Sequence, residues 1–478
     1  MKSPFSITID EKSLQRLFEH LFPGDDDEHG AVLAVGISES EQGTRLLVRD
    51  LFLAIDGVDY VPGTRGYRAL TPQFIVEKSD YCFRNKLGYL AVHCHGGNDY
   101  VAFSQDDYNS HKRGYSALLD IVGDPVGALV FAKNAVAGEI WTKKGIFQLD
   151  HLTIIGSRIK KLFPNSPLGS ASSHPIYDRH ARLFGDVGQV ILSGLKVGII
   201  GLGGGGSLVN EWLTRLGVGH IVAIDFDKVE STNLPRIVGA THKDAQTWLT
   251  TTKSLNIKRL GKWLSSYKVH VAERVAKIAN PKIKYDAVVG NILNEDIALL
   301  LKDLDFIFLA TDSLQSRNVF NALLHQYLIP GAQIGAKVRV DPDSQKVIDI
   351  TASGRIVLPF QLGGCLRCNG WIPPGRLQME TLSKEERRIQ AYIESTDIAE
   401  PSVITLNVLS ASQVVNDFMM MFTGLYNSNM KLPHLLYDIK TRELQTASNR
   451  HDDDCVHCGL ISKSRFSKGD KGRLPCRQ

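Results

Sequence analysis

The stretch KVGIIGLGGGG, residues 196–206, decides how this chain is read. Lys196 to Gly201 is an apolar run of the kind that forms a buried strand, and it passes directly into Gly201-x-Gly203-x-x-Gly206. Ser207 then opens a segment with Leu208, Val209, Trp212, Leu213 and Leu216 at helical spacing. Glycines in such a strand-to-helix turn let the backbone approach a ligand closely. The free N–H groups and the positive end of the helix favour an anion. Gly201, Gly203, Gly204 and Gly206 are therefore expected to cradle the phosphates of a nucleotide. The same pattern serves dinucleotides in dehydrogenases and also occurs as a plain tight turn, so by itself it leaves the ligand open.

Outward from this turn, apolar strands at 196–201, 221–225 and 306–310 alternate with helical stretches at 208–216 and 269–279. That alternation predicts an α/β fold with a doubly wound, largely parallel sheet. The segment NSPLGSASSH, residues 165–174, has the Ser, Pro and Gly content of a flexible connector. The expected organisation is an N-terminal α+β domain over 1–162, a linker over 163–175, the nucleotide domain over 176–460, and a basic, disordered tail over 461–478. In the N-terminal part, Leu14, Leu17, Phe18 and Leu21 predict a helix over 10–22. Strands are expected at 31–37, 45–53, 88–93 and 126–131, with a helix near 110–120. No internal repeat is visible.

A length of 478 residues suffices for two or three domains, each with its own core. Hydrophobic and charged fractions of 43% and 22% are ordinary for globular chains. No run approaches the roughly 18 to 20 apolar residues that span a bilayer. The segment Met1 to Ile7 has no apolar signal core, so a cytoplasmic location is expected. Net charge is +4 and the basic residues are spread along the chain outside the tail, so neither nucleic acid nor membrane is an expected partner. Among seven cysteines, Cys365/Cys368 and Cys455/Cys458 form two C-x-x-C pairs. Four thiolates at that spacing suit a closed tetrahedral structural zinc site better than a disulfide framework.

After Gly217-Val218-Gly219, the run DFDKVESTNLPR, residues 225–236, resembles the ThiF/MoeB and ubiquitin-activating (E1-like) family of adenylyltransferases. The resemblance implies that Asp225 holds the ribose, with Asp227 beside it, and that Asn233 and Arg236 reach the phosphates of ATP. A dehydrogenase would account only for the acid. Acyl adenylation displaces pyrophosphate, so cationic and amide donors must meet charge spread over phosphate oxygens. Ala310-Thr311-Asp312 matches the family's strand-end Asp that binds Mg²⁺, and Arg317 follows at the expected helical position. Lys268, ahead of Asn280-Pro281, matches the phosphate-binding lysine, with Lys253 in the long 243–264 segment as a rival. Ile176 to His180 resembles the family motif whose arginine crosses a homodimer to the partner's ATP, which implies Arg179 and a homodimer. The family uses paired cysteines like these to pin its C-terminal segment. Many members also carry a cysteine in the crossing segment that accepts the acyl group as a thioester, yet 394–402 has none. Ser395, Thr396 or Ser402 would then form an oxyester with help from a base, or the adenylate would pass directly to a partner.

In the N-terminal part, His93-x-His95 ends an apolar run and is followed by Ser104-Gln105-Asp106-Asp107. This order resembles the H-x-H…S-x-x-D signature of MPN/JAMM metalloproteases, with a gap one residue longer than usual. The resemblance implies a catalytic zinc on His93, His95 and Asp107, with Asp106 as the one-residue alternative. It also implies Ser104 as an oxyanion donor and Glu28 as the general base. Two histidines and an acid leave one tetrahedral position for water, whose pKa zinc lowers to about 7. Taken alone, H-x-H also fits two ordinary strand histidines.

Both resemblances together imply one bifunctional enzyme of the kind found in bacterial ubiquitin-like conjugation systems. It would adenylate the C-terminus of a ubiquitin-like modifier with ATP and Mg²⁺, hand it to an E2-like carrier, and cut modifier precursors or isopeptide conjugates with zinc. The alternative is activation of a sulfur carrier or peptide in cofactor or metabolite biosynthesis.

Overall fold

The computed structural model describes residues 4–25, 27–63, 66, 68–123, 125–165, 172–341, 344, 346–382 and 403–477. The first eight strands are β1 (Phe5–Asp10), β2 (Gly30–Ser40), β3 (Gly43–Leu53), β4 (Gly88–Cys94), β5 (Val126–Phe131), β6 (Val136–Thr142), β7 (Gly145–Ile155) and β8 (Lys160–Leu162). They pair in the order β1-β3-β2-β4-β5-β6-β7-β8, and β1 also pairs with β7, so the sheet curls closed. Ile7, Leu33, Leu90, Leu129 and Phe131 fill its inner face, onto which helix Glu11–Leu21 lays Leu14, Leu17 and Leu21. Asp10 starts that helix by accepting from Ser13 N at 3.1 Å. Helices Pro72–Asn85 and Gln105–Val122 cover the opposite face through Phe74, Cys82, Tyr115 and Val122.

The second sheet comprises β9 (Lys196–Ile200), β10 (His220–Ile224), β11 (Lys284–Val288), β12 (Phe306–Leu309), β13 (Gly331–Val340), β14 (Val347–Val357), β15 (His434–Asp438) and β16 (Glu443–Ala447). Its order is β11-β10-β9-β12-β13-β14-β15-β16. Strands β9 to β13 pair in parallel, as expected. From β13 onward the pairing is antiparallel, an extension that the sequence reading did not anticipate. Burial falls from β14 to β16, whose residues are almost all exposed, so the apolar signal of this extension is diluted. Helices Gly204–Arg215, Lys268–Ala279 and Ile404–Thr423 pack on one side of the sheet, and Leu314–Tyr327 on the other. Strand β9 lies between β10 and β12, so the order of connection reverses there and a crevice opens at the carboxyl ends of these strands.

Two expectations are corrected. Residues 163–165 belong with the first sheet: Val136 N donates to Phe163 O at 3.1 Å and Val101 N to Pro164 O at 3.0 Å. The tail is also not disordered over its described part. Phe466 and Leu474 are buried, Ser467 Oγ donates to Val48 O at 2.8 Å, and Asp470 N donates to Ile37 O at 2.8 Å. Arg49, buried in β3, donates to the carbonyl of Phe466 and to Ser464 Oγ. Close approach is possible because Gly36 has no side chain; a Cβ there would overlap Ser467 O. The basic composition of this segment masks its two apolar anchors, Phe466 and Leu474. No described helix is long and apolar enough to cross a membrane.

Candidate functional site

The glycine turn sits at the carboxyl end of β9, in the crevice. Gly201 has φ of 89°, a conformation that glycine adopts without strain. A Cβ at Gly206 would overlap Gly201 O, and one at Gly204 would overlap the Asn407 amide. Gly203 precedes the helix and has nothing within 4 Å of a would-be Cβ, leaving that side of the turn open. The backbone N–H groups at the start of helix Gly204–Arg215 therefore have room for an anion.

Around this turn the structure gathers the charged candidates. Asp225 directly follows β10 and is buried; its carboxylate accepts from Leu202 N at 2.7 Å and from Asp227 N at 2.8 Å. Burial pushes its pKa up, opposed by the charge of Lys268. Lys268 opens helix Lys268–Ala279 and its Nζ lies 2.7 Å from Asp227 Oδ2. The rival Lys253 is exposed in the turn before helix Leu255–Leu264. Asn233 is buried, and its Oδ1 accepts from Glu230 N at 3.0 Å, so its Nδ2 is the group left to donate. Arg236 follows one turn later, its N–H bonded to Asn233 O at 3.0 Å. Asp312 is exposed three residues past the end of β12. Arg317 turns away to Trp371 O at 3.0 Å. Arg179 is exposed in the first turn of the segment Asp178–Gly194, which breaks at Gly185.

In the first sheet, His93 and His95 come from the end of β4 and Asp107 from the first turn of helix Gln105–Val122. Their ligand atoms lie within 4.8 Å of one another. His93 Nε2 is 3.4 Å from Asp107 Oδ1, His95 Nε2 is 3.5 Å from Asp107 Oδ2, and the two Nε2 atoms are 3.2 Å apart. His95 Nδ1 lies 3.1 Å from Ala102 O, which fixes the ring with Nε2 inward. Glu28 approaches from the segment before β2, with Oε1 3.7 Å from His95 Nε2. Burial pushes its carboxyl up, against the pull of the two histidines. Asp106 points to solvent, so Asp107 is the acid brought to the cluster. Ser104 is the N-cap of that helix, and its Oγ donates to Asp107 Oδ2 at 2.7 Å. In this arrangement Ser104 orients the acid.

The four paired cysteines also converge. Sγ separations are 3.7 Å for Cys365–Cys368 and 3.6 Å for both Cys365–Cys455 and Cys368–Cys458. Zinc–sulfur bonds of about 2.3 Å at tetrahedral angles put sulfurs roughly 3.8 Å apart, so these spacings suit a zinc site. Ser395, Thr396 and Ser402 lie outside the described residues. Asn407, more than 200 residues from the turn it touches, carries no local sequence signal.

An α/β fold with a phosphate-sized turn, a strand-end acid and an Asn/Arg pair defines a nucleotide-binding protein of the adenylating type. Residues 177–457 match the ThiF family, and the chain belongs to it. Molybdopterin-synthase adenylyltransferase of Haemophilus influenzae is 28% identical over 154 residues, 32% of this chain and 55% of that protein. Ubiquitin-like modifier-activating enzyme 5 of Gallus gallus is 30% identical over 100 residues, 21% of this chain and 20% of that one. The crystal structure of E. coli MccB with succinimide aligns at 19% identity and a TM-score of 0.44, over 61% of this chain and 76% of that one. The chain spans about half the length of the first curated relatives it matches. The family match begins after the His93–His95–Asp107 cluster.

Proposed function

We propose that the ThiF-type part of this chain uses ATP and Mg²⁺ to adenylate the C-terminal carboxylate of a small ubiquitin-like protein. The N-terminal part, reaching to about residue 165, would be an MPN/JAMM-type zinc peptidase that releases the same protein from a precursor or an isopeptide conjugate. The observation that carries the first half is the meeting of Asp225, Asp227, Asn233, Arg236 and Lys268 around an open glycine turn in the crevice beside β9. Bound Mg-ATP supplies the activated phosphoryl group from which a carboxylate can displace pyrophosphate. Asp225, already oriented by two backbone N–H groups, accepts from the ribose hydroxyls. Asn233 Nδ2, Arg236 and Lys268 donate to phosphate oxygens, Lys268 by exchanging its bond to Asp227, and Asp312 would hold the metal. Arg179 would act across a homodimer. Support for a second copy comes from Val187, Val190 and Ile191, exposed apolar residues on the helical stretch that follows the break at Gly185.

The second half rests on the three-ligand cluster with Glu28 beside it. A zinc ion there supplies Lewis acidity toward a peptide carbonyl. Glu28 takes up a proton and returns it to the leaving amine, a task suited to a carboxyl whose burial raises its pKa. The crossing segment has no cysteine, so the activated acyl group passes to a hydroxyl among Ser395, Thr396 and Ser402 or directly to an E2-like carrier. A second reading, activation of a sulfur carrier, is favoured by the similarity to molybdopterin-synthase and sulfur carrier protein adenylyltransferases.

Intact mass spectrometry separates these readings. With ATP and a ubiquitin-like protein ending in Gly-Gly, the expected product is that protein plus one AMP. An adduct formed only on a sulfur carrier selects the second reading, and no adduct on either refutes adenylation. For the peptidase, release of the modifier from a C-terminal fusion should disappear in Glu28→Gln; release that survives this change refutes the role.

A further inference from the structure

Two helices begin at the carboxyl ends of the neighbouring strands β9 and β12, and their first turns are finished in opposite ways. Helix Gly204–Arg215 starts behind Gly203, which has no side chain to cap it. Helix Leu314–Tyr327 starts two residues after Asp312, and the three N–H groups of its first turn that lack a partner within the helix are all taken. Leu314 N donates to Glu380 Oε1 at 3.1 Å and Gln315 N to Glu380 Oε2 at 2.7 Å. Ser316 N donates to Ser313 Oγ at 3.2 Å. A carboxylate 65 residues further along the chain, in the last turn of helix Pro374–Thr381, thus fills the anion-seeking end of this helix. For phosphate, the open end is the one at the glycine turn.

The same first turn is gripped through the side chain of Gln315. Its Nε2 donates to Glu380 O at 3.0 Å, and its Oε1 accepts from Arg477 Nε at 3.3 Å and Nη2 at 3.1 Å. Arg477 is itself fixed by its backbone, with N donating to Leu293 O at 2.7 Å. Leu474, three residues before it, is buried in the apolar cluster that includes Phe320 and Leu324 of the same helix. At the other end of the loop, Ala310 N donates to Ile200 O at 2.8 Å as β12 finishes beside β9. The short loop Thr311 to Ser313 is therefore tied on both sides, and Asp312 stands in its middle, exposed. Its hard carboxylate oxygens suit Mg²⁺.

We propose that Glu380 and Arg477 are positioning residues for adenylation: through Gln315 and the first turn of its helix they hold Asp312 where it meets the magnesium of Mg-ATP. A carboxylate fixed before the ion arrives has less freedom to give up on binding it. The inference rests on the adenylation reading and extends it to the C-terminal strap. That strap, bound to the first sheet through Ser467 and Asp470, ends as a support of the metal-holding loop.

The test is a magnesium titration of ATP–pyrophosphate exchange in the full chain with a Gly-Gly-ended ubiquitin-like protein. Beside it, backbone hydrogen exchange of the nucleotide-free chain is read by mass spectrometry. Glu380→Gln keeps the size of the side chain but sets an amide NH₂ against a backbone N–H. It is expected to raise the Mg²⁺ concentration for half-maximal exchange about tenfold, the effect of one charge-assisted hydrogen bond, with the rate restored at saturating Mg²⁺. Hydrogen exchange should quicken over residues 310–317 and stay unchanged over 204–215. Arg477→Ala should raise the same half-saturation about threefold, and should add nothing in a chain that already carries Gln315→Ala, because both act through one side chain. A merely structural defect would lower the rate at every Mg²⁺ concentration and leave the half-saturation where it was. That result in Glu380→Gln, or hydrogen exchange over 310–317 that matches the wild type, overturns the clamp while leaving adenylation intact. So does a full Arg477→Ala effect in the Gln315→Ala background. If the wild-type chain shows no exchange at any Mg²⁺ concentration, with this substrate or with a sulfur carrier, the adenylation reading falls and the clamp with it.

Discussion

The two candidate metal clusters are built from opposite materials. Cys365, Cys368, Cys455 and Cys458 offer four thiolates, three of them buried, and staple together segments 90 residues apart. His93, His95 and Asp107 offer three ligands from a strand end and the helix that follows it, with the two histidine side chains 21% and 22% exposed and Glu28 across the gap. Four protein ligands close a tetrahedral ion and leave it only a structural task; three leave a position where chemistry can occur. The first cluster should therefore be needed for the fold and the second for activity alone.

The largest effect is expected on the closed side. Cys365→Ser should remove one zinc per chain and cost at least about 3 kcal/mol of stability, read by metal analysis and a thermal melt. An unshifted melt would erase the contrast. Next comes Arg49, whose removal strips donors from the carbonyl of Phe466 and from Ser464 and loosens the C-terminal strap from the first sheet. Arg49→Ala should cost about 2 kcal/mol and expose the 461–477 segment to protease. If cleavage there is unchanged, the strap is held by its apolar anchors instead. On the open side, His95→Ala should abolish binding of the second metal and any peptidase activity while shifting stability by less than about 1 kcal/mol. A destabilisation as large as that of Cys365→Ser would make this a structural site too. The smallest and most graded effect is expected from Asp244, which the paired Arg274 guanidinium and Thr241 hold well below the usual carboxylate range despite the cost of burial. Its stabilising contribution is present above the ordinary carboxyl pKa and is lost as pH falls through the depressed one. The melting difference between wild type and Asp244→Asn should therefore shrink as the pH drops from 5 toward 2.

Sequence carries these features unequally, according to how local each one is. The nucleotide turn was legible because strand, glycines and helix follow within 20 residues, and each has its own periodicity. The cysteine pairs were legible from spacing alone. The choice between Asp106 and Asp107 turns on helix phase: Ser104 and Asp107 form a capping box, which starts the helix at Gln105 and turns Asp107 inward. That S-x-x-D pattern was present in the sequence, but it fits both a cap and a protease signature. What stayed hidden is non-local. Arg49 meets a carbonyl 417 residues away, and Asn407 reaches back to Gly204. Nothing in the neighbourhood of any one of these residues announces its partner.

One measurement bears most directly on the central claim that the crevice beside β9 charges a carboxyl terminus. ATP–pyrophosphate exchange should be followed in the wild-type chain and in Asp312→Ala with a Gly-Gly-ended ubiquitin-like protein and with a sulfur carrier. The account predicts exchange that requires the protein substrate and falls at least 100-fold in the variant, on the order expected when a group that holds a phosphate-bound metal is lost. Exchange of equal rate in both chains, or none in either, would contradict it.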